Sequence, residues 1–216
     1  MAFELDHVII CADSDAPEAE RLIQFGLREA PPNQHPGQGT ANRRFFFANA
    51  MIELLWVRDP AEAQNERTRR TLLWERWSGR FGAASPFGIC IRPSGSPSMD
   101  PPFPAWEYQP AYFPEPLALH IAETTLDEPM WVYIGFTRRL DWEQRFLEHP
   151  SGVREITALA LSSPLPLRSR ASEIVIGNGI LSHREGSEHL LEIEFDHAER
   201  HQLVDFRPHL PIVFQL

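Results

Sequence analysis

Hydrophobic and polar positions alternate through residues 3–12, FELDHVIICA, as a half-buried strand requires. Phe3, Leu5, His7, Ile9 and Cys11 share one face of it, and Glu4, Asp6, Val8, Ile10 and Ala12 share the other. The run DSDAPEAERLIQFGL predicts a helix, with Asp15 as its cap, Pro17 in the first turn, Glu18 at the capping-box position and Gly26 as its stop. Residues 31–41, PPNQHPGQGTA, predict a turn-rich loop, with a short strand just before it near residues 27–30. RRFFFAN and AMIELLWVRD predict two strands joined by a tight turn at Asn49–Ala50. Residues 1–59 thus read as a βαβββ unit.

The periodicity then changes. Residues 60–78 hold good helix formers and no breaker and predict a helix. Strands are expected at residues 87–92, 117–123 and 130–136, and a short helix at 141–147. REITALAL predicts a strand, SSPLPLRSR a loop, EIVIGNGILSHREG a strand broken at Gly177–Gly179, and HLLEIEFD a further strand. The tail DFRPHLPIVFQL ends in one more. VREITALAL stands where ELDHVIICA stood, and HLLEIEF where MIELLWV stood, with the intervening helix missing or reduced to SPLPLRSR. This is the pattern of a degenerate internal repeat. The expected organisation is one α+β domain: a βαβββ module over 1–59, a helix and Pro/aromatic-rich insertion over 60–147, and a degenerate second module over 148–216.

Composition narrows the partners. With 20 basic and 30 acidic residues the formal net charge is −10, which repels phosphate backbones and anionic lipid. Nucleic-acid and membrane partners are not expected; ANRR and ERTRR are the only short basic candidates. Charge or proline cuts every apolar run short of a membrane span. The opening MAFELDHVII carries acids where a signal peptide carries Lys or Arg. Cys11 and Cys90 both sit in apolar runs as free thiols, so a reducing cytoplasm is the expected location. Many of the 20 prolines concentrate in residues 86–116 among aromatics, which predicts an ordered cover. No P-loop, GxGxxG, GxSxG or CxxC pattern occurs.

A few positions break the apolar pattern. Glu53 interrupts a strand that is largely apolar on both faces. Buried carboxylates are rare unless paired, metal-bound or functional, and an ion pair with Arg43 or Arg44 is the structural alternative. His7 lies between Leu5 and Ile9, and a satisfied core histidine is its structural alternative. Glu192 shares a face with Leu190 and Glu194, which suits solvent as well as a cavity. In the loop from His35 to Asn42, Gly37 and Gly39 permit close backbone approach, while His35, Thr40 and Asn42 offer polar side chains to a ligand. Trp106 and Tyr108, with Phe113, could roof it or simply pack. The histidines at 183, 189, 197 and 201 read as a solvated surface.

LDHVII, HPGQGTANRRFF and MIELLWV together resemble the glyoxalase-like domain family of the vicinal-oxygen-chelate superfamily. The resemblance implies paired βαβββ modules whose mixed sheets curl around a cavity. For metal-dependent members it also implies one ligand from the first and one from the last strand of each module. Carried over by position, these are His7 and Glu53 in the first module and Glu192 in the second, with Thr157 at the fourth place. Threonine is a poor ligand for a divalent transition metal. The resemblance therefore leaves several functions open. One is a lyase or isomerase acting on a small oxygenated substrate, with one Zn, Ni, Mn or Fe ion on His7, Glu53 and Glu192 and Glu53 as proton-transfer base. Another is a metal-free protein that binds a small-molecule ligand without chemistry, and a third is a purely structural domain. A homodimer is a further expectation, since family members often pair modules across subunits.

Overall fold

The computed structural model describes residues 2–137 and 144–216. The chain is α+β, with two mixed sheets of eight and five strands. In the first part, β1 (Phe3–Cys11), α1 (Ala19–Phe25), β2 (Ala30–His35), β3 (Thr40–Phe46) and β4 (Met51–Val57) follow in the predicted order. Two local readings change. Asp15 does not cap α1; it has φ +65°, and the Glu18 side chain instead accepts from the Asp13 N–H. Gly26, at φ +103°, does end the helix in the left-handed conformation. The strand near residue 30 runs on through Pro31 and Pro32, where a loop was expected. Proline is tolerated there because β2 is an edge strand with a register shift between Ala30 and Asn33.

Residues 60–78 form three short pieces rather than one helix: α2 (Pro60–Ala63), a 3-10 turn at Arg69–Thr71, and α3 (Leu73–Ser78). The Asn65 side chain accepts from the N–H groups of Arg67 and Thr68 and so competes with helix continuation, and Leu72 sits at φ +56°. Next come β5 (Phe87–Pro93), β6 (Trp106–Tyr108), β7 (Leu119–Ile121) and β8 (Met130–Tyr133). Of the helix expected at 141–147, residues 141–143 lie outside the described residues, and α4 spans Gln144–Leu147.

The large sheet runs β2-β3-β4-β1-β5-β8-β7-β6. β1 pairs parallel with β4, and β5 pairs parallel with β8. Antiparallel pairings lead outward on each side, β4-β3-β2 and β8-β7-β6, and β1 meets β5 antiparallel at the centre. One four-strand pairing pattern therefore occurs twice, turned about an approximate twofold between β1 and β5. Its second copy comes from residues 87–133, with the Pro-rich stretch after β5 replacing the helix.

The last part of the chain builds the other sheet: β9 (Ile156–Ser163), α5 (Arg170–Gly177), β10 (Leu181–Glu185), β11 (Leu190–Phe195), β12 (Leu203–Asp205) and β13 (Ile212–Gln215). Its order is β10-β9-β11-β13-β12. Here the expected repeat fails in register, because β11 runs antiparallel to β9 whereas β4 runs parallel to β1. The helix between the repeated strands is also not missing: RASEIVIG, part of which reads as strand, is helical behind the Ser169 cap. The two sheets are stitched by Asn49, whose amide donates to the Ile156 carbonyl at 2.6 Å and accepts from the Ile156 N–H at 3.0 Å. Buried side chains from both sheets, such as Phe45, Phe47, Phe195 and Phe214, form one continuous core.

Candidate site on the face of the large sheet

A cavity of about 200 Å³ lies against one face of the large sheet and has two chemically different walls. The strands β1 to β4 contribute most of its polar side chains: His7, Asn33, His35, Asn42, Arg44 and Glu53. The strands β5 to β8 contribute Cys90, Leu119, Ile121, Met130 and Val132, followed by Ile134 just beyond β8, with Tyr108 as the polar exception. Tyr112 and Phe113 from the proline-rich stretch close over it. Strand register explains the assembly, since Met51, His7, Cys90, Val132 and Ile121 stand in one row across five strands.

Glu53 is the central group. It is 5% exposed and directly opposes Arg44 across the β3–β4 ladder, yet it pairs with neither neighbouring arginine. Arg43 is bound to Glu29 and Glu20, and Arg44 donates Nε and Nη2 to the Pro31 carbonyl. A carboxylate buried here needs other donors. Asn42 Nδ2 donates to Glu53 Oε1 at 2.7 Å, and His7 Nε2 lies 3.4 Å from Oε2. Asn42 is itself fixed, since its Oδ1 accepts from the Asn33 N–H at 3.0 Å.

His7 is held from behind. Its Nδ1–H donates to Asp6 Oδ1 at 2.6 Å, although neighbours on a regular strand point to opposite faces. The exception has a visible cause: the β1–β5 pairing slips between Leu5 and His7, leaving Asp6 as the extra residue of a bulge. Asp6 also accepts from Arg92 Nη1 at 3.1 Å and from the Thr137 hydroxyl at 3.3 Å. Burial opposes charge on Asp6, but His7 and Arg92 outweigh it and hold the carboxyl below its ordinary range. Burial likewise opposes charge on His7, but the adjoining Cys90 sulfur and the Asp6 carboxylate raise its pKa well above the ordinary value. The Cys90 thiol is itself pushed up by burial, so Asp6 is the charged partner that counts at neutral pH. The result is a buried chain, Asp6–His7–Glu53, ending in the cavity.

A second network orders the loop wall. Tyr108 and Tyr112 donate to Gln38 Oε1 at 3.0 and 3.4 Å, and Gln38 Nε2 donates to Thr40 Oγ1 at 2.8 Å. The Thr40 hydroxyl lies 2.8 Å from His35 Nδ1, and with Gln38 donating to it, donation of its own proton to Nδ1 is the order that puts the His35 proton on Nε2. Burial depresses the His35 pKa and keeps it neutral, and its ring stacks on Tyr112 at 4.8 Å.

The structure thus brings His7, Glu53, His35, Asn42 and Tyr108 to one cavity. Thr40 does not line that cavity; it holds His35 and Gln38. Trp106 lies outside it, under the Arg70 guanidinium at 4.4 Å. Glu192 sits in the other sheet, bonded to Arg184 and Gln215, on the strand face opposite the buried Leu191, Ile193 and Phe195. Sequence reasoning missed Asp6, Gln38 and Tyr112 as site residues. Asp6 was adjacent to His7 in the chain, but only the bulge turns that adjacency into contact. Of the four C-terminal histidines, His189 is buried rather than solvated, with Nε2 donating to the Ala83 carbonyl.

A metal requires a third donor. The twofold relates His7 to Cys90 and Glu53 to Ile134, so the apolar wall offers at most a thiol where an imidazole and a carboxylate would be needed. Among the described residues no three His, Cys, Asp or Glu side chains converge on one point. A catalytic divalent site uses three protein ligands and an open position, and His7 with Glu53 does not supply that set. Thr157, the fourth expected position, donates to Glu194 in the other sheet.

Comparison with known proteins now bears on this geometry. The model of the family described as "Glyoxalase-like domain" matches residues 5–204. The chain belongs to the glyoxalase-like domain family. Among solved structures it is similar to a hypothetical protein from Staphylococcus aureus, with TM-score 0.58 over 99% of each chain at 12% identity, a likeness of fold alone. Comparison with the curated proteins finds no match. Among the described residues, no helix is long and apolar enough to cross a membrane.

Proposed function

We propose that this glyoxalase-like protein binds a small, mainly apolar oxygenated molecule in the divided cavity and moves a proton at its polar end, with Glu53 as the base. The carrying observation is the state of Glu53: buried, within the cavity and paired with no arginine. A carboxylate so placed is oriented by Asn42 and His7 with no arginine bonded to it, which suits a proton acceptor. His7, braced by Asp6, steadies the negative carboxylate and can supply a proton to an oxygen of the ligand. The apolar wall excludes water from the body of the ligand, and Tyr112 and Phe113 cover it. The reaction class is lyase- or isomerase-like, without a metal-borne step. Small carbonyl compounds incubated with the protein in D2O test this by NMR. Exchange of an acidic C–H should occur with the native chain and vanish in Glu53→Gln while binding persists.

A second reading, binding without chemistry, is favoured by one observation. The positions related to His7 and Glu53 in the second copy are Cys90 and Ile134, so the site lacks the donors of a full reactive centre. Ligands that bind without any C–H exchange would select this reading.

A further inference from the structure

Among the described residues, Arg44 is the permanent cation that lines the cavity, and no acid partners it. Arg44 is half-buried on β3, and its guanidinium hydrogen-bonds the neutral Pro31 carbonyl and lies over the Phe46 ring at 5.3 Å. Other partly buried arginines of the large sheet are neutralised: Arg43 by Glu29 and Glu20, Arg92 by Glu4 and Asp6. Glu53 opposes Arg44 in register, but its oxygens are engaged by Asn42 and His7. Burial lowers the Arg44 pKa while leaving the group charged, and no acid bonds the guanidinium.

Neutral donors stand beside it on the same strands. His35, hydrogen-bonded to Thr40, and Asn33 on β2 both line the cavity and offer it N–H groups. The polar wall thus divides again: donors on β2 and β3, and the Glu53 acceptor beside His7 on β4 and β1. Resting on the reading that this cavity is the ligand site, we infer that its ligand is a small carboxylic acid with an apolar tail. Its carboxylate lies on Arg44 beside Asn33, and its tail points along the cavity toward the apolar wall. An arginine fork matches a carboxylate in shape and charge, and such bonds are about twice as strong as neutral ones. The carboxylate also fixes which end of the ligand faces Glu53.

The test is calorimetric binding of phenylacetate and of phenylacetamide, which share a shape and differ in charge. The native chain should bind phenylacetate about tenfold or more tighter than the amide. Arg44→Gln should abolish that preference and leave the affinity for the amide unchanged, and Arg44→Lys should restore part of it. A melting curve for each variant separates loss of recognition from loss of fold. Equal affinity for the two probes, or a preference that survives Arg44→Gln, overturns the carboxylate inference and leaves the cavity reading standing. If neither probe binds the native chain at millimolar concentration, both fall.

Discussion

Asn42→Leu tests the feature on which the site depends, a buried carboxylate held by an amide beside His7 rather than by an arginine. The substitution nearly preserves side-chain volume and removes two hydrogen bonds. The first is the 2.7 Å bond from Asn42 Nδ2 to Glu53 Oε1, charge-assisted and worth about 1.5–3 kcal/mol. The second is the 3.0 Å bond from the Asn33 N–H to Asn42 Oδ1, neutral and worth about 0.5–1 kcal/mol, because the exposed Asn33 can turn to water. Contact of the new leucine with Leu55, its opposite on β4, returns roughly 1 kcal/mol. The net loss is about 1–3 kcal/mol, a fall of about 2–12 °C in Tm for a chain of this length. Urea unfolding followed by tryptophan fluorescence measures it, and a double-mutant cycle with Glu53→Gln isolates the pair. A loss under about 0.5 kcal/mol, the scale of an ordinary surface change, would refute the argument. It would mean that water, not Asn42, satisfies Glu53.

The remaining predictions concern the chain behind Glu53 and the missing donors. His7, with its folded pKa raised above about 6.5, contributes stability that is present in full below that pH and is lost as pH climbs through the folded value. Asp6, with its pKa lowered from 3.8, contributes stability present above that pH and lost as pH falls through its folded value. In Asp6→Asn the His7 resonances should titrate at lower pH and the alkaline-side slope of stability should flatten; an unchanged His7 titration would rule out Asp6 as its partner. Combining Cys90→His with Ile134→Glu should complete a donor set with His7 and Glu53, giving Zn²⁺ or Ni²⁺ binding by calorimetry tighter than that of the native chain. No gain in metal affinity would show that the strand symmetry does not extend to the side chains.

The local elements of the first sixty residues were legible because each rests on contacts a few residues apart. Alternation revealed β1, a short apolar run revealed β4, and Gly26 marked the end of α1. Glu53 stood out for the same reason: a carboxylate in MIELLWV violates a pattern that is otherwise apolar. RASEIVIG was harder, because its β-branched Ile-Val-Ile run favours a strand by itself. The Ser169 cap and the burial of Ala171 and Val175 select helix instead. Strands β5 to β8 were visible as short apolar runs, but nothing in such a run says which strand it will meet. The repeat was accordingly assigned to the C-terminal strands, whose residues look like β1 and β4 but pair with a different sense.

By itself the sequence determined a family resemblance, a first βαβββ unit, and two polar residues, His7 and Glu53, set among apolar neighbours. Those are properties of composition and short-range periodicity. The tertiary structure decided which wall faces them, because strand order is a long-range choice. It placed Cys90, Val132 and Ile134 opposite the polar wall, moved Glu192 to another sheet, and turned Asp6 onto His7 through one extra residue in a ladder. Which groups would partner Glu53 was likewise decided in three dimensions: Arg44 opposes it in register but bonds a backbone carbonyl, and Asn42 and His7 take its place.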